Sequence, residues 1–335
     1  MKISNVKKTV KWSLQKGTVV KMSIFYLLTF IVCLSCIGCI KANDTNNKVQ
    51  SEDTTSVSDT PAITTSQDTS IEKQTSPNDM EVTKAAPVME AVDYTDCFDN
   101  FKGCAVFFNS TKNTYYMYNQ ELCKERSSPY STFKIISTLM GLETGVLNSI
   151  DTTMGYDGTK YSNEKWNRDL NLKDAFKESC VWYYRKVIDR VGQSEVQNWL
   201  DQLDYGNCDI SEWEGSGANS MPALNGFWLE SSLKISPKEQ VDIMAMIFEG
   251  KSNFSERNIN ILKEVMLIQK DERLSIYGKT GSGKNGKGWF VGMFDKNGER
   301  YFFAVHLTEE NRKDSWGPKA KEIALNIIDK YYSEP

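Results

Sequence analysis

The chain reads as an α+β domain, an antiparallel sheet flanked by terminal helices together with a mainly helical subdomain, carried behind an export-type segment and a polar tether. Three observations predict this. Strand-like alternation is confined to the two ends of residues 96–335, the stretch between them has helical periodicity, and the first 95 residues hold one apolar run followed by almost no aromatics. Strands early and late with helices between them imply that the first and last strands meet in one sheet, with a cleft against the helices.

Residues 1–39 carry six lysines and no acid, and residues 22–38 form an apolar run about 17 long. This is the pattern of a signal peptide, a charged region followed by a hydrophobic one. Cys36-Ile37-Gly38-Cys39 resembles a bacterial lipobox, which makes Cys39 the candidate for lipidation, although Cys36 stands where a leucine is usual. The alternative is an uncleaved signal anchor, and both place the rest of the chain outside the membrane. Residues 40–95 are rich in Thr, Ser, Asp, Asn and Glu and bury too little apolar surface to fold, so they are expected to form a disordered tether. A flexible segment of that length reaches roughly 40 Å.

Within residues 96–335 the expected elements run in order. Strands at 104–109 and 114–119 flank a polar turn at 110–113. A helix runs from Ser131 to about residue 144, stopped by Gly145, and others follow at 172–191, ended by Gly192, and at 194–203. Strands return at 274–279, 289–295 and 300–308, the last two joined by Lys296-Asn297-Gly298, and a helix at 320–331 closes the chain.

Charge and residue counts narrow the function. Beyond the six N-terminal lysines, 34 basic and 44 acidic residues leave a net charge of −10, which argues against a nucleic-acid partner. Cys-x-x-Cys spacing occurs only within the apolar run, at Cys33, Cys36 and Cys39, so no metal site is expected. Five cysteines remain, Cys97, Cys104, Cys123, Cys180 and Cys208, an odd number. The single histidine, His306, lies in a strand-like run and is expected to be structural, which removes a Ser-His-Asp triad.

The chemistry is expected at Ser131. In Ser131-Thr132-Phe133-Lys134 a hydroxyl and an amine stand three positions apart on one helical face, near enough for the amine to serve as base. A serine opening a helix also sits at the positive end of the dipole. Spacing alone is weak. Ser4/Lys7, Ser13/Lys16, Ser70/Lys73, Ser162/Lys165 and Ser231/Lys234 share it without the apolar helix behind. Ser179-Cys180-Val181 offers a second hydroxyl, and Lys279-Thr280-Gly281-Ser282 ends a strand with a cation, a hydroxyl and a glycine that admits a ligand to the backbone.

In order, S-x-x-K at Ser131, S-x-V at Ser179, Y-G-N at Tyr205-Gly206-Asn207, F-W-L-E at residues 227–230 and K-T-G at Lys279 resemble the class D serine β-lactamases. Residues 141–145, 233–240 and 288–292 extend the match. The resemblance implies the penicillin-recognising fold and hydrolysis of β-lactams through an acyl-enzyme on Ser131. It also implies an N-carboxylated Lys134 as base, needing CO2 or bicarbonate and no other cofactor. By the same resemblance Phe133, Val181, Trp228 and Leu229 line the carbamate pocket, Trp228 donating its indole N–H. Ser179 relays a proton to the leaving nitrogen. Lys279, Thr280, Gly281 and Ser282 bind substrate, and the amides of Ser131 and Ser282 form the oxyanion hole. Tyr205, Gly206 and Asn207 are structural.

Three departures stand out. The loop containing residues 212–217 is lengthened, Tyr130 replaces a small residue, and the arginine that relatives carry near the last helix is missing, leaving Lys319 as the candidate for the substrate carboxylate. The expected partners are β-lactam small molecules, with membrane contact only through the N-terminal anchor, and the oligomeric state is left open. The competing readings are a β-lactam sensor that acylates without turnover and a cell-wall transpeptidase or carboxypeptidase. The expected location is the outer face of the cell membrane as a lipoprotein, or secretion.

Overall fold

A computed structural model describes residues 86–332, apart from residues 285, 310, 311 and 315. The signal-like segment, Cys36, Cys39 and most of the expected tether lie outside the described residues.

The sheet is built from strands that are apolar on both faces. All seven residues of β2 (Gly103–Asn109) are buried. Successive strand side chains point to opposite faces, so Cys104, Val106 and Phe108 enter one core while Ala105 and Phe107 enter a second. Seven strands take the order β1-β3-β2-β7-β6-β5-β4, the others being β1 (Val88–Ala91), β3 (Thr114–Tyr118), β4 (Leu267–Lys270), β5 (Leu274–Ser282), β6 (Lys287–Lys296) and β7 (Glu299–Thr308). Every pairing is antiparallel except β1 with β3. The first and last long strands do meet, with Val106 opposite Ala304 at the middle of the β2–β7 ladder.

A short helix, α1 (Thr95–Phe98), and the closing α8 (Gly317–Ile327) contribute Phe98, Ala320, Ile323, Ala324 and Ile327 to the second core. The first core is capped by α2 (Lys134–Glu143), whose residues from Lys134 to Leu142 are all buried, and by α3 (Leu172–Lys177), α4 (Val181–Val191), α5 (Gln193–Leu203), α6 (Pro237–Phe248) and α7 (Glu256–Met266). The α6 N-terminus has a complete capping box. Ser236 Oγ accepts from the Glu239 amide at 3.2 Å, and the Ser236 amide donates to Glu239 Oε2 at 2.8 Å.

Several expectations need correction. The tether does not extend to residue 95, because Val88–Ala91 pairs with β3, Val88 N donating to Asn113 O at 2.9 Å and Val92 N to Met117 O at 3.1 Å. All four β1 side chains are exposed, so the strand is held by its backbone ladder and needs no buried apolar surface. The single helix expected at 172–191 is two, broken at residues 178–180 where Ser179 takes a left-handed backbone (φ +56°). The α2 helix begins at Lys134. Ser131 lies in the 3-10 turn Tyr130–Phe133 that leads into it, so the nucleophile is not at the α-helical N-terminus. Finally, β5 continues three residues beyond Lys279 to Ser282.

Candidate active site

Three segments converge: the turn ahead of α2, the break between α3 and α4, and the end of β5. The turn is fixed by its own polar groups. Thr132 Oγ1 donates to Pro129 O at 2.7 Å and accepts from Gln240 Nε2 at 2.9 Å, while the Tyr130 amide donates to Trp228 O at 3.0 Å. Tyr130 itself has φ +49°, a costly conformation for an aromatic residue. Its hydroxyl bonds Glu230 Oε1 at 3.1 Å.

From this turn Ser131 stands half-buried with its Oγ 3.0 Å from Lys134 Nζ. Lys134 is 1% exposed, and Nζ lies 5.2 Å above the Tyr184 ring. Burial disfavours the ammonium and brings its pKa down from the ordinary 10.5 to about 7. A large fraction of Lys134 is therefore a neutral amine at neutral pH, with a lone pair beside a hydroxyl.

The break between helices serves the second motif. Its left-handed backbone aims Ser179 at β5, where Lys279 Nζ lies 3.1 Å from Ser179 Oγ and 3.1 Å from Thr280 O. Lys279 is buried, and its pKa falls well below the ordinary lysine value, first through desolvation and then through the charges of Lys134 and Lys321. Val181 opens α4 immediately after the break.

At Gly281 β5 presses against the nucleophile turn. A Cβ there would meet Pro129 O at 3.0 Å and Thr132 Cγ2 at 3.2 Å, so the close approach requires the missing side chain. Thr280 is half-buried, and Ser282 is exposed at the strand end, where its Oγ accepts from the Gly317 amide at 3.1 Å.

Trp228 is buried with its ring stacked on Phe133, centroids 5.7 Å apart, and its Nε1 has no hydrogen-bond partner. Val181, Leu229, Ser282 and Tyr130 line a cavity of about 300 Å³. Tyr205 packs edge-on against Phe133 at 5.7 Å. Gly206 has φ +60°, and Asn207 clamps the next segment through Lys234 N at 2.8 Å and Ser232 O at 2.9 Å.

Lys319 is not in the site. Its ammonium pairs with Glu322 at 2.8 Å and lies over the Phe101 ring. The basic residue of α8 that does reach Lys279 and Thr280 is Lys321, which shares with them a cavity of about 500 Å³ and is half-buried with no ion pair among the described residues. Helix phase carries the signal. Gly317 abuts Thr280 and Gly281, and the residue four positions on repeats its direction. Tyr184, under Lys134, was likewise missed; three residues after Val181, it lies on the same face of α4. His306 is buried against the Trp289 ring at 3.8 Å, with burial pushing its pKa down to about 3.

The profile of the penicillin-binding protein transpeptidase domain matches residues 100–329. Among curated relatives, the "Regulatory protein BlaR1" of Bacillus licheniformis is 36% identical over 248 residues, 72% of this chain and 39% of that protein. The "Probable beta-lactamase YbxI" of Bacillus subtilis is 32% identical over 238 residues, 70% of this chain and 83% of that protein. The chain thus spans about two fifths of the regulatory relative and most of the second. Among solved structures, the C-terminal domain of the Bacillus licheniformis BlaR penicillin-receptor superposes with a TM-score of 0.67 at 34% identity, covering 75% of this chain and 100% of that one. The class D β-lactamase BAT-2 gives 0.65 at 30% identity, covering 73% and 97%. With the S-x-x-K turn, the Ser179–Lys279 contact and this shared fold together, the chain belongs to the penicillin-binding protein transpeptidase domain family and has the fold of the class D β-lactamases.

Proposed function

We propose that the domain binds β-lactams covalently through Ser131 and hydrolyses the resulting acyl-enzyme. The observation that carries this is the buried Lys134 amine, 3.0 Å from Ser131 Oγ, whose pKa is brought down by burial to about 7. As Ser131 Oγ attacks the lactam carbonyl, its proton passes to the base at Lys134, and the amides of Ser131 and Ser282 receive the developing oxyanion. Ser179, held against Lys279, returns a proton to the departing ring nitrogen. Lys279, Thr280 and Lys321, which line one cavity together with Lys173, Lys177 and Glu264, take the substrate carboxylate.

The residues also fit CO2 on Lys134. A neutral buried amine is the form that carboxylates, and Trp228 Nε1 is a buried donor without an acceptor, beside Phe133. Trp228 would hold the carbamate and Val181 and Leu229 would keep its surroundings apolar. The group would supply an anionic oxygen base next to Ser131.

The receptor reading is supported by the relatives named as a regulatory protein and a penicillin-receptor, and it shares every step up to the acyl-enzyme. Mixing the purified chain with a chromogenic cephalosporin separates the two. Sustained hydrolysis supports the enzyme, and a burst of one equivalent without turnover supports the receptor. Absence of both turnover and a Ser131 adduct by intact mass overturns both. Bicarbonate is expected to restore activity lost at mildly acid pH in the native chain, and to do so poorly in Trp228→Phe. We also propose export through residues 1–39 with lipidation at Cys39, which labelled palmitate tests in Cys39→Ser.

A further inference from the structure

The mechanism uses no cysteine, yet Cys97, Cys104, Cys123, Cys180 and Cys208 are all present as free thiols and four of them are buried. Two meet. Cys104 points from β2 into the first core, and Cys123 sits in the 3-10 turn Leu122–Lys124 that follows β3. In the β2–β3 ladder Ala105 lies opposite Tyr118, so the next position outward brings Asn119 across from Cys104, where Asn119 Nδ2 donates to Gly103 O at 2.7 Å. The Cys123 amide donates back to Asn119 O at 3.2 Å and closes the turn that folds Cys123 over β2. Cys123 Sγ then lies 3.2 Å from Tyr118 O and 3.6 Å from Ala105 O, the carbonyl of the residue that follows Cys104 in β2, and burial together with the neighbouring Cys123 thiol pushes the Cys104 thiol well up. Both are fully buried. The remaining thiols lie elsewhere: Cys97 packs in the second core, Cys180 follows Ser179, and Cys208 Sγ bonds Leu200 O.

We propose that Cys104 and Cys123 form a disulfide when the chain folds in an oxidising compartment, stapling β2 to the connection that delivers Ser131. The site is a modification site independent of how Ser131 reacts. The chemistry is thiol–disulfide exchange with a disulfide-bearing oxidant such as oxidised glutathione. One cysteine thiolate attacks the oxidant, forming a mixed disulfide and releasing one thiol, and the second thiolate displaces the other half. Two protons and two electrons leave the cysteine pair, and the S–S bond of the oxidant is reduced. Because both sulfurs are sealed from solvent, exchange takes place before the core closes, and the finished bond resists mild reductants. The staple closes a loop running through β2, the hairpin turn and β3, which restricts the unfolded chain.

The test is to refold the full chain in a glutathione redox buffer, block remaining thiols in denaturant, and map peptides by mass spectrometry without reductant. The expected result is a peptide pair linked through Cys104 and Cys123, with Cys97, Cys180 and Cys208 alkylated, and a melting temperature roughly 5–10 °C above that of the fully reduced chain. Cys123→Ser is expected to lose this dependence on reductant. Alkylation of both Cys104 and Cys123 in the refolded chain, or pairing of either with another cysteine, overturns the proposal. Should the variant fail to fold, the peptide map of the native sequence decides alone.

Discussion

A lysine ammonium removed from water is destabilising unless an anion accompanies it, and the domain buries two, Lys134 and Lys279, with no carboxylate on either. For Lys134 the sign follows from its two states. Between its folded value of about 7 and its ordinary 10.5 the unfolded chain binds a proton that the folded chain does not, so stability rises with pH across that window and the penalty is complete below it. Lys134→Met is therefore expected to abolish turnover while raising the melting temperature at pH 7 by a few degrees, a gain that fades toward pH 10. Calorimetry at both pH values checks it, and a destabilised variant at pH 7 would show that the amine is not the costly group. At the other end of the cleft, Lys321→Ala should raise KM for a penicillin about tenfold and Lys319→Ala should leave it nearly unchanged. The sequence made the Ser131 and Lys134 pair visible through spacing, and Ser179 and Lys279 as separate site residues through the order of the motifs; their contact with each other is seen only in the structure. It could not separate Lys319 from Lys321, because that depends on the rotation of α8 against β5, set by Gly317 packing on Thr280 and Gly281.

Among the elements, β5 is the one that must come closest to the nucleophile, and Gly281 permits it. Gly281→Ala places a methyl 3.0 Å from Pro129 O, a rigid backbone atom, so β5 and the turn separate by a few tenths of an ångström. Misplacement of this kind is expected to lower the acylation rate by about tenfold to a hundredfold with little change in far-UV spectrum. An unchanged rate in stopped-flow measurements would mean that the strand end is not part of the reacting geometry. The long strands were legible as apolar runs rich in β-branched and aromatic residues bounded by turn residues, and α2 as an apolar run behind Ser131 stopped by Gly145. The α6 start was legible in principle from Ser236-Pro237-Lys238-Glu239, a capping box that reads directly from sequence. The α3–α4 break was not, since nothing in Glu178-Ser179-Cys180 marks a left-handed serine, and tertiary contact with Lys279 overrides local propensity. The edge strands β1 and β4 show no alternation because every one of their side chains is exposed.

For the molecule as a whole, a sheet covered on both faces gives two cores that share β2, β5, β6 and β7. The helices over the first core hold the site, and α1 and α8 cover the opposite face of the sheet. Removing the residues before Asp93 takes away β1 and its backbone ladder on β3 but no buried side chain among the described residues. Such a shortened chain should melt about 2–4 °C lower and acylate at an unchanged rate. A lost acylation rate would mean that the end of the sheet supports the site from a distance. Among the described residues β1 and β4 close the sheet at its two sides, and there Val88, Met89, Leu267 and Ile268 face water. In a concentrated sample those margins are templates for strand addition by a neighbouring molecule. Colloidal behaviour on storage would then be governed by eight rim residues, and a lysine at residue 89, on the side away from the Lys279 cavity, should improve shelf life without touching catalysis.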